Sequence, residues 1–266
     1  MLEHLRCPRC RGPLSQGPSF PDGSGLLLCA CETAYPVLVG VPILVPEPAL
    51  YLHQHRDAVL ATLAEQGLAT PEAVRLVLDF AAACPGGEPL RFGDDWVHDE
   101  ASWPEPTEGA PEALLSLLEQ AQGAPERAIE ELLGGPHDLV AELGCGSGLL
   151  TTRLRARHGT VLACDLSLRA VLRAGPPGLV LDAEALPLAE LDALVAANLI
   201  DLLDEPEAFL DEALERASRV VLSSPEPELL DGADASRHAV PWVRPHGPSE
   251  WQIYLLSVAR FERRPA

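Results

Sequence analysis

The second half of the chain repeats one pattern, in which short apolar runs alternate with segments of helical periodicity. Each run has the length of a buried strand, and residues 208–217 show the three- and four-residue spacing of a helix that packs on one face. The predicted strands are 139–143, 160–165, 179–182, 191–198 and 219–223. Residues 251–263 form a further, longer strand pattern. This alternation predicts an α/β fold with a parallel, doubly wound sheet.

The first half is organised differently. Residues 1–48 combine turns rich in Gly, Pro and Ser with strand-like runs, and they end in a predicted hinge at Pro46-Glu-Pro48. Residues 49–135 carry apolar stripes with helical spacing, one of which opens with an N-cap and first-turn proline at Thr70-Pro71. We therefore predict a small β domain, then a helical region, then an α/β domain at 136–266.

A glycine-rich turn lies where the first α/β strand meets its helix. The turn is Gly144-Cys-Gly146-Ser-Gly148, whose spacing differs from the Gly-x-Gly-x-x-Gly of dinucleotide sites. Glycine lets the backbone approach a ligand closely, and a helix N-terminus offers unpaired N–H groups to a carboxylate or phosphate. Asp165 ends the second strand, where an acid is placed to bind both ribose hydroxyls, and Ser167 is available to cap the next helix. These features predict a nucleotide-like cofactor.

At these residues the sequence resembles the class I S-adenosylmethionine (SAM) methyltransferases. Their first motif has an acid two residues before Gly-x-Gly-x-Gly, here Glu142, and their second is Asp-apolar-Ser, here Asp165-Leu-Ser167. Residues 182–188 resemble the third motif, whose acid bonds the adenine amino group. The resemblance implies a Rossmann-like fold, a helical lid before the first strand, and an antiparallel edge that pairs 251–263 with 237–243.

The resemblance also implies a set of site residues. Glu142 would orient the methionyl end of SAM, Leu166 would pack against adenine, and Asp182 would bind the adenine amino group. The implied cofactor-binding residues are Glu142, Gly144, Cys145, Gly146, Asp165, Leu166, Asp182, Ala183 and Asn198. The catalytic residues are left unknown, because alignment of the nucleophile supplies most of the acceleration in methyl transfer and a general base is optional.

Candidate substrate-binding residues come from two places. The loop element Phe92-Gly-Asp-Asp-Trp96 is similar to a Phe-Gly-x-x-Trp element of some methyltransferases that carry zinc ribbons. His98 follows it, and Asp201 follows the fourth predicted strand. The aromatic loop either walls the substrate or fastens itself to the core, since burial of aromatic side chains is favourable.

Two cysteine pairs on separate turns, at Cys7/Cys10 and Cys29/Cys31, have the arrangement of a tetrahedral zinc ribbon. The Cys-Pro-x-Cys and the tail 35–44 resemble the small zinc-ribbon activators that partner tRNA and release-factor methyltransferases. That family has two residues inside its second pair, whereas this chain has one, and the shorter spacer strains chelation at one metal. The alternatives are a zinc site and a degenerate ribbon held by its core.

Composition restricts the partners. The formal net charge is −21, from 19 Lys and Arg against 40 Asp and Glu, and no lysine is present. Because a nucleic-acid surface needs basic side chains to neutralise phosphates, a direct RNA or DNA substrate is disfavoured. No apolar run approaches the roughly 20 residues of a membrane span. An odd cysteine count and no signal-peptide pattern favour a reducing, cytoplasmic setting. The oligomeric state is left open.

The leading prediction is a SAM-dependent methyltransferase for a small-molecule acceptor. Residues 196–201, Glu205-Pro206, Phe209-Leu210 and Ser223-Ser-Pro225 are similar to the imidazole-methylating domain of ovothiol synthases, although Glu226-Pro227 stands where aromatic residues commonly follow. This resemblance favours a nitrogen acceptor. Protein-glutamine methyltransferases carry Asn-Pro-Pro-Tyr where this chain has Asn198-Leu-Ile-Asp201, which argues against that reaction. The alternatives are a protein or RNA methyltransferase with the ribbon as a built-in activator domain, and a non-catalytic SAM-binding scaffold.

Overall fold

The computed structural model describes residues 2–84, 86, 112–232, 237–245 and 251–263. The first four strands form an antiparallel meander, β1 Leu14–Ser19, β2 Gly25–Cys29, β3 Ala34–Leu38 and β4 Val41–Leu44. A two-residue turn joins β3 to β4, and both of its residues, Val39 and Gly40, have positive φ angles of 46° and 87°. Such a turn matches the twist of an antiparallel pair.

The remaining strands form the predicted α/β sheet. They are β5 Leu139–Leu143, β6 Thr160–Asp165, β7 Gly178–Leu181, β8 Leu191–Ala197, β9 Ala217–Ser224, β10 Arg237–Pro245 and β11 Trp251–Glu262. Their spatial order is β7-β6-β5-β8-β9-β11-β10. The first five are parallel, and β11 runs antiparallel between β9 and β10. The α/β fold class and the antiparallel edge are confirmed.

The meander is joined to this sheet through β4. Ile43 and Leu44 pair in parallel with Val180 and Leu181 of β7, so the two parts form one sheet of eleven strands. The three-part division at 1–48, 49–135 and 136–266 stays a prediction. Because β4 pairs with β7, residues 1–48 and residues 136–266 share backbone hydrogen bonds.

Eight α-helices lie within the described residues. They are α1 Pro48–Gln54, α2 Arg56–Glu65, α3 Pro71–Ala82, α4 Glu112–Ala121, α5 Ala124–Leu133, α6 Leu149–Arg155, α7 Leu168–Ala174 and α8 Pro206–Arg216. Thr70 caps α3 as predicted, because its hydroxyl accepts the Ala73 N–H at 3.1 Å. Helices α1 to α3 share one apolar cluster with α7, and α5 and α6 share a second. Both clusters lie on the same face of the sheet, because Ala163 of the first and Val161 of the second are two residues apart in β6. No helix in the described ranges is long and apolar enough to cross a bilayer.

Candidate active site

The carboxyl ends of the central strands meet at one edge of the sheet. Leu143 of β5 lies level with Cys164 of β6 and with Ala196 of β8, and Asp165 lies level with Val180 of β7. The strand order reverses beside β5, which is where open α/β sheets bind their ligands. The segments that follow these four strands carry the predicted cofactor-binding residues except two: Glu142 lies within β5, and Asp165 is the last residue of β6.

Three glycines shape the turn after β5, and each has a positive φ: 69° at Gly144, 47° at Gly146 and 79° at Gly148. A Cβ added to Gly148 would lie 2.7 Å from the Ala174 Cα, so this glycine permits close packing on α7. A Cβ added to Gly146 would meet nothing nearer than a carbonyl oxygen at 4.0 Å. Gly146 therefore faces open space, whereas Gly148 serves the packing of the fold.

Asp165 is tied to the glycine turn. Its Oδ2 accepts the Gly146 N–H at 3.0 Å, and its Oδ1 accepts the Ser167 N–H at 2.9 Å. Burial raises the pKa of this carboxyl, and the N–H groups of Ser167, Gly146 and Leu166 oppose the rise. Ser167 caps α7 as predicted, by accepting the Ala170 N–H. The carboxylate is thus held at the tip of β6 beside the turn.

Glu142 is almost completely buried, with 2% of its surface exposed. Burial raises the pKa of its carboxyl to about 8, with the Thr151 hydroxyl and Arg155 opposing the shift and Asp165 adding to it. Its Oε2 has no hydrogen-bond partner among the described residues. An unpaired buried carboxyl beside the glycine turn is suited to a cationic group such as the amino group of an amino acid.

Glu142 predicts a pH dependence of stability. Because its pKa is raised from 4.5 to about 8 in the folded protein, the folded state holds the proton more tightly. This contribution to stability is full below pH 4.5 and is lost as the pH rises toward 8. Without SAM, Glu142→Gln should therefore match the wild type near pH 5 and exceed its free energy of unfolding near pH 9.

Urea denaturation at pH 5, 7 and 9 checks this expectation. Glu131→Gln, which alters an exposed residue of α5, is the control and should leave the pH profile unchanged. A difference between Glu142→Gln and the wild type that does not vary with pH would contradict the assignment.

The third motif forms a short 3₁₀ turn after β7. Asp182 caps this turn of residues Ala183–Ala185, since its Oδ1 accepts the Glu184 N–H at 3.0 Å. On the other side of the site, the Tyr51 hydroxyl of α1 donates to the Leu166 carbonyl at 2.7 Å. The helical region therefore contacts the second motif directly. The lid role of that region stays a prediction.

Asn198 and Cys145 are fixed by neighbouring strands. Asn198 has a φ of 52°. Its N–H donates to the Ser223 carbonyl at 3.1 Å, and its Oδ1 accepts the Ser223 hydroxyl at 3.2 Å. Cys145 donates its N–H to the Cys164 carbonyl at 3.0 Å, and burial raises the pKa of its thiol. Its buried side chain belongs to the core, so any contact of Cys145 with a cofactor would come from its backbone.

Asp201 lies on the 3₁₀ turn Ile200–Leu202, three residues after Asn198. Its Oδ1 is buried and has no hydrogen-bond partner in the described part of the chain. Burial raises the pKa of this carboxyl, and the Ser224 hydroxyl opposes the rise. The other three substrate-binding predictions, Phe92, Trp96 and His98, lie outside the described residues.

The four cysteines of the predicted ribbon, residues 1–48, converge. The Sγ atoms of Cys7, Cys10, Cys29 and Cys31 all lie within 4.8 Å of one another, and none is in a disulfide. The Cys7–Cys31 and Cys10–Cys29 separations are 3.6 and 3.4 Å. A tetrahedral zinc with Zn–S bonds of about 2.3 Å needs edges of about 3.8 Å, so the donor set fits the ion. Cys31 lies with the other three despite its one-residue spacer.

Local backbone geometry explains the convergence. The residue after each second cysteine, Arg11 or Glu32, adopts a positive φ of 61° or 68°. This conformation turns each knuckle back on itself, as in the bond from the Arg11 N–H to the Cys7 carbonyl at 2.8 Å. Tyr35, which is fully buried, places its hydroxyl 3.0 Å from the Cys7 Sγ. Sequence reasoning missed Tyr35 as a neighbour of the cluster, although it opens the tail 35–44.

A Rossmann-like sheet with a glycine turn and an acid at the tip of the second strand defines a nucleotide-type cofactor site. Residues 141–220 match the family model described as a methyltransferase domain. This segment contains the glycine turn, Asp165, Asp182 and Asn198. The chain is a SAM-dependent methyltransferase, and SAM is its cofactor.

Solved structures show likenesses to parts of the chain. The N-methyltransferase NodS of Bradyrhizobium japonicum is 17% identical, with a TM-score of 0.42, over 54% of this chain and 86% of that one. A chain from the complex of a Haloferax volcanii methyltransferase activator with a methyltransferase is 13% identical, with a TM-score of 0.46, over 57% of this chain and 93% of that one. Magnesium protoporphyrin IX methyltransferase of Synechocystis is 17% identical, with a TM-score of 0.37, over 54% of this chain and 83% of that one. None of the three identifies the acceptor of this chain. No curated protein matches its sequence.

Proposed function

We propose that this methyltransferase acts on a nitrogen atom of a small basic molecule, such as an amine or an imidazole. The observation that carries the proposal is the Asp201 carboxyl, which is partly buried and has an Oδ1 without a partner among the described residues. It lies in the turn that follows the carboxyl end of β8, three residues after Asn198. A carboxylate with one unpaired buried oxygen in such a place favours a cationic ligand, because an opposite charge offsets the cost of burial.

The proposed transfer is an in-line displacement. The lone pair of the acceptor nitrogen forms a bond to the methyl carbon, the carbon–sulfur bond breaks, and its electron pair stays on sulfur to give S-adenosylhomocysteine. Before the transfer, Asp201 accepts a proton from the bound cation, which frees the lone pair of the acceptor nitrogen. Its raised pKa brings this carboxyl closer to neutral pH than that of an ordinary aspartate, which suits it to accept a proton.

The cofactor would be held by the residues that converge on the sheet edge. We propose that Glu142 binds the amino group of the methionyl end and that Gly144 and Gly146 admit the backbone to close contact. Asp165 would accept both ribose hydroxyls, and Leu166 would pack on the adenine. The contacts to the base and to the reacting end are proposed for Asp182, Ala183 and Asn198.

We also propose that Cys7, Cys10, Cys29 and Cys31 hold one zinc ion. The supporting geometry is the Sγ cluster, whose edges match a tetrahedral tetrathiolate site. The ion would be structural, since four protein ligands leave no open position for substrate.

A macromolecular acceptor, with the ribbon as a built-in activator domain, is the second candidate. It is favoured by the pairing of β4 with β7, which ties the ribbon to the catalytic sheet. The basic cluster of α6 gives it little support, because that cluster is used internally. Arg153 and Arg157 bind Glu130 at 2.6 and 3.3 Å, and Arg155 donates to backbone carbonyls.

The test is methyl transfer to panels of small amines and imidazoles, of RNA and of proteins, followed by S-adenosylhomocysteine release. We expect small-molecule turnover, and we expect Asp201→Asn to lower its rate by about 100-fold. Asp211→Asn, an exposed change on α8, is the control. Turnover of RNA or protein alone would support the second candidate, and SAM binding without any turnover would support a non-catalytic scaffold. An unchanged rate in Asp201→Asn would contradict its role.

A further inference from the structure

One side chain of the ribbon reaches across to the third motif. Arg11 follows the cysteine Cys10 directly, and its Nη1 donates to the carbonyls of Ala185 and Leu186, the latter at 2.8 Å. Its Nη2 lies 2.7 and 2.8 Å from the two carboxylate oxygens of Glu212 on α8. The guanidinium thus joins three elements, and a planar fork of donors is suited to such multiple contacts.

The two carbonyls belong to the segment that positions Asp182. Ala185 ends the 3₁₀ turn that Asp182 caps, and Leu186 follows it. From the opposite side, the Glu184 carboxylate accepts the Asp204 N–H at 2.6 Å. The turn is therefore held from two directions, by Arg11 on the ribbon side and by the loop after β8 on the other.

The ribbon backbone adds to this contact. The Arg6 N–H donates to the Pro187 carbonyl, and the Ala189 N–H donates to the His4 carbonyl, both at 2.8 Å. The first cysteine knuckle therefore lies beside the whole segment 185–189. Among the hydrogen bonds of the described residues, those of the Arg11 side chain alone join the ribbon to the end of the turn, since the backbone bonds begin two residues later.

We propose that Arg11 is a positioning residue for adenine recognition. By fixing the carbonyls of Ala185 and Leu186, it holds the turn in the shape that presents Asp182 to the base. It also makes that shape depend on the first cysteine knuckle, because the Arg11 backbone is part of the knuckle. This inference rests on the proposed role of Asp182 toward the adenine amino group.

The backbone of Arg11 offers a clean variant. Its φ of 61° lies in the left-handed region, where a side chain is disfavoured and glycine is not. Arg11→Gly therefore removes the guanidinium, and glycine adopts the backbone conformation of this knuckle without strain. Glu32→Gly is the matched control, because Glu32 has a φ of 68° at the equivalent place in the second knuckle and is exposed. Glu212→Gln weakens the same contact from α8 without touching the ribbon.

The experiment is calorimetric titration of the full chain with S-adenosylhomocysteine and with its deaminated analogue, S-inosylhomocysteine. We expect Arg11→Gly to bind S-adenosylhomocysteine about tenfold more weakly than the wild type, as for the loss of one good hydrogen bond. Its preference for adenine over hypoxanthine should fall by a similar factor, and Glu212→Gln should move both values in the same direction. Glu32→Gly should bind like the wild type, and zinc content should be equal in all four proteins.

The outcomes separate this inference from the proposed site. A wild type that prefers adenine and an Arg11→Gly variant with the same preference would overturn the inference alone. An equal loss in Glu32→Gly would also overturn it, because the effect would then arise from either knuckle. A wild type that binds both ligands equally would remove the role of Asp182 and the inference with it.

Discussion

Cys7→Ser is expected to release the metal and to lower the free energy of unfolding by at least about 3 kcal/mol, the scale of losing a structural zinc or a buried network. The buried side chains of residues 1–48 belong to clusters that they share with the α/β sheet, so this segment has little core of its own, and segments of this size often depend on a metal or a disulfide. Cys7 is completely buried beside Tyr35, so water cannot replace the lost ligand easily.

Metal analysis and urea denaturation of the purified protein check this expectation. The wild type should carry one zinc per chain and Cys7→Ser should carry almost none. Cys84→Ser is the matched control, because Cys84 lies after α3 and outside the cluster. Wild-type protein that is folded and holds far less than one equivalent would instead support the degenerate ribbon.

Two glycines of the same turn should respond differently to alanine. A Cβ at Gly148 would lie 2.7 Å from the Ala174 Cα, and its φ is 79°, so Gly148→Ala should destabilise the fold by about 3 kcal/mol. Beyond its chain neighbours, a Cβ at Gly146 has no atom of the described residues nearer than 4.0 Å, and the left-handed conformation costs about 1 kcal/mol. Gly146→Ala should remain folded, but its methyl group points into the proposed cofactor space.

We expect Gly146→Ala to weaken S-adenosylhomocysteine binding by about 100-fold, equivalent to about 2.7 kcal/mol. Thermal unfolding and calorimetry on both variants separate the two effects. Each variant serves as the control for the other, because the chemical change is the same. Wild-type affinity in Gly146→Ala would show that the turn does not approach the ligand.

The parts of the fold that sequence predicts well are those with local signals. Strands β5 to β9 appear as apolar runs, and the glycine turn and Asp165 follow them at fixed positions. The antiparallel edge of β10 and β11 was implied by family resemblance and is confirmed. These features need only a few neighbouring residues, so a single sequence is enough to find them.

The contacts between the parts have no local signal. The pairing of β4 with β7 joins strands that lie far apart in the chain, and Arg11 contacts a residue 174 positions away. The Tyr51 hydroxyl contacts Leu166, which lies 115 positions away in the chain. The sequence also does not predict the left-handed backbone of Arg11 and Glu32, because glycine is the residue that usually adopts this conformation. The one-residue cysteine spacer therefore suggested more strain than the Sγ separations show.

The predicted site residues differ in what now supports them. Glu142, the glycines, Asp165, Asp182 and Asn198 are brought to one sheet edge, but their roles toward SAM stay proposals. For Asp201, the unpaired buried Oδ1 gives a physical reason to propose that it binds a cationic substrate. The predictions at Phe92, Trp96 and His98 stay predictions.

The most direct test of the central claim is calorimetric titration of S-adenosylhomocysteine into the wild type and into Asp165→Ala. Asp165 holds the Gly146 and Ser167 N–H groups and is proposed to bind the ribose, so its loss removes both the ligand contact and the support of the turn. The account predicts micromolar binding by the wild type and none detectable in the folded variant. Equal binding by both proteins, or no binding by a folded wild type, would contradict it.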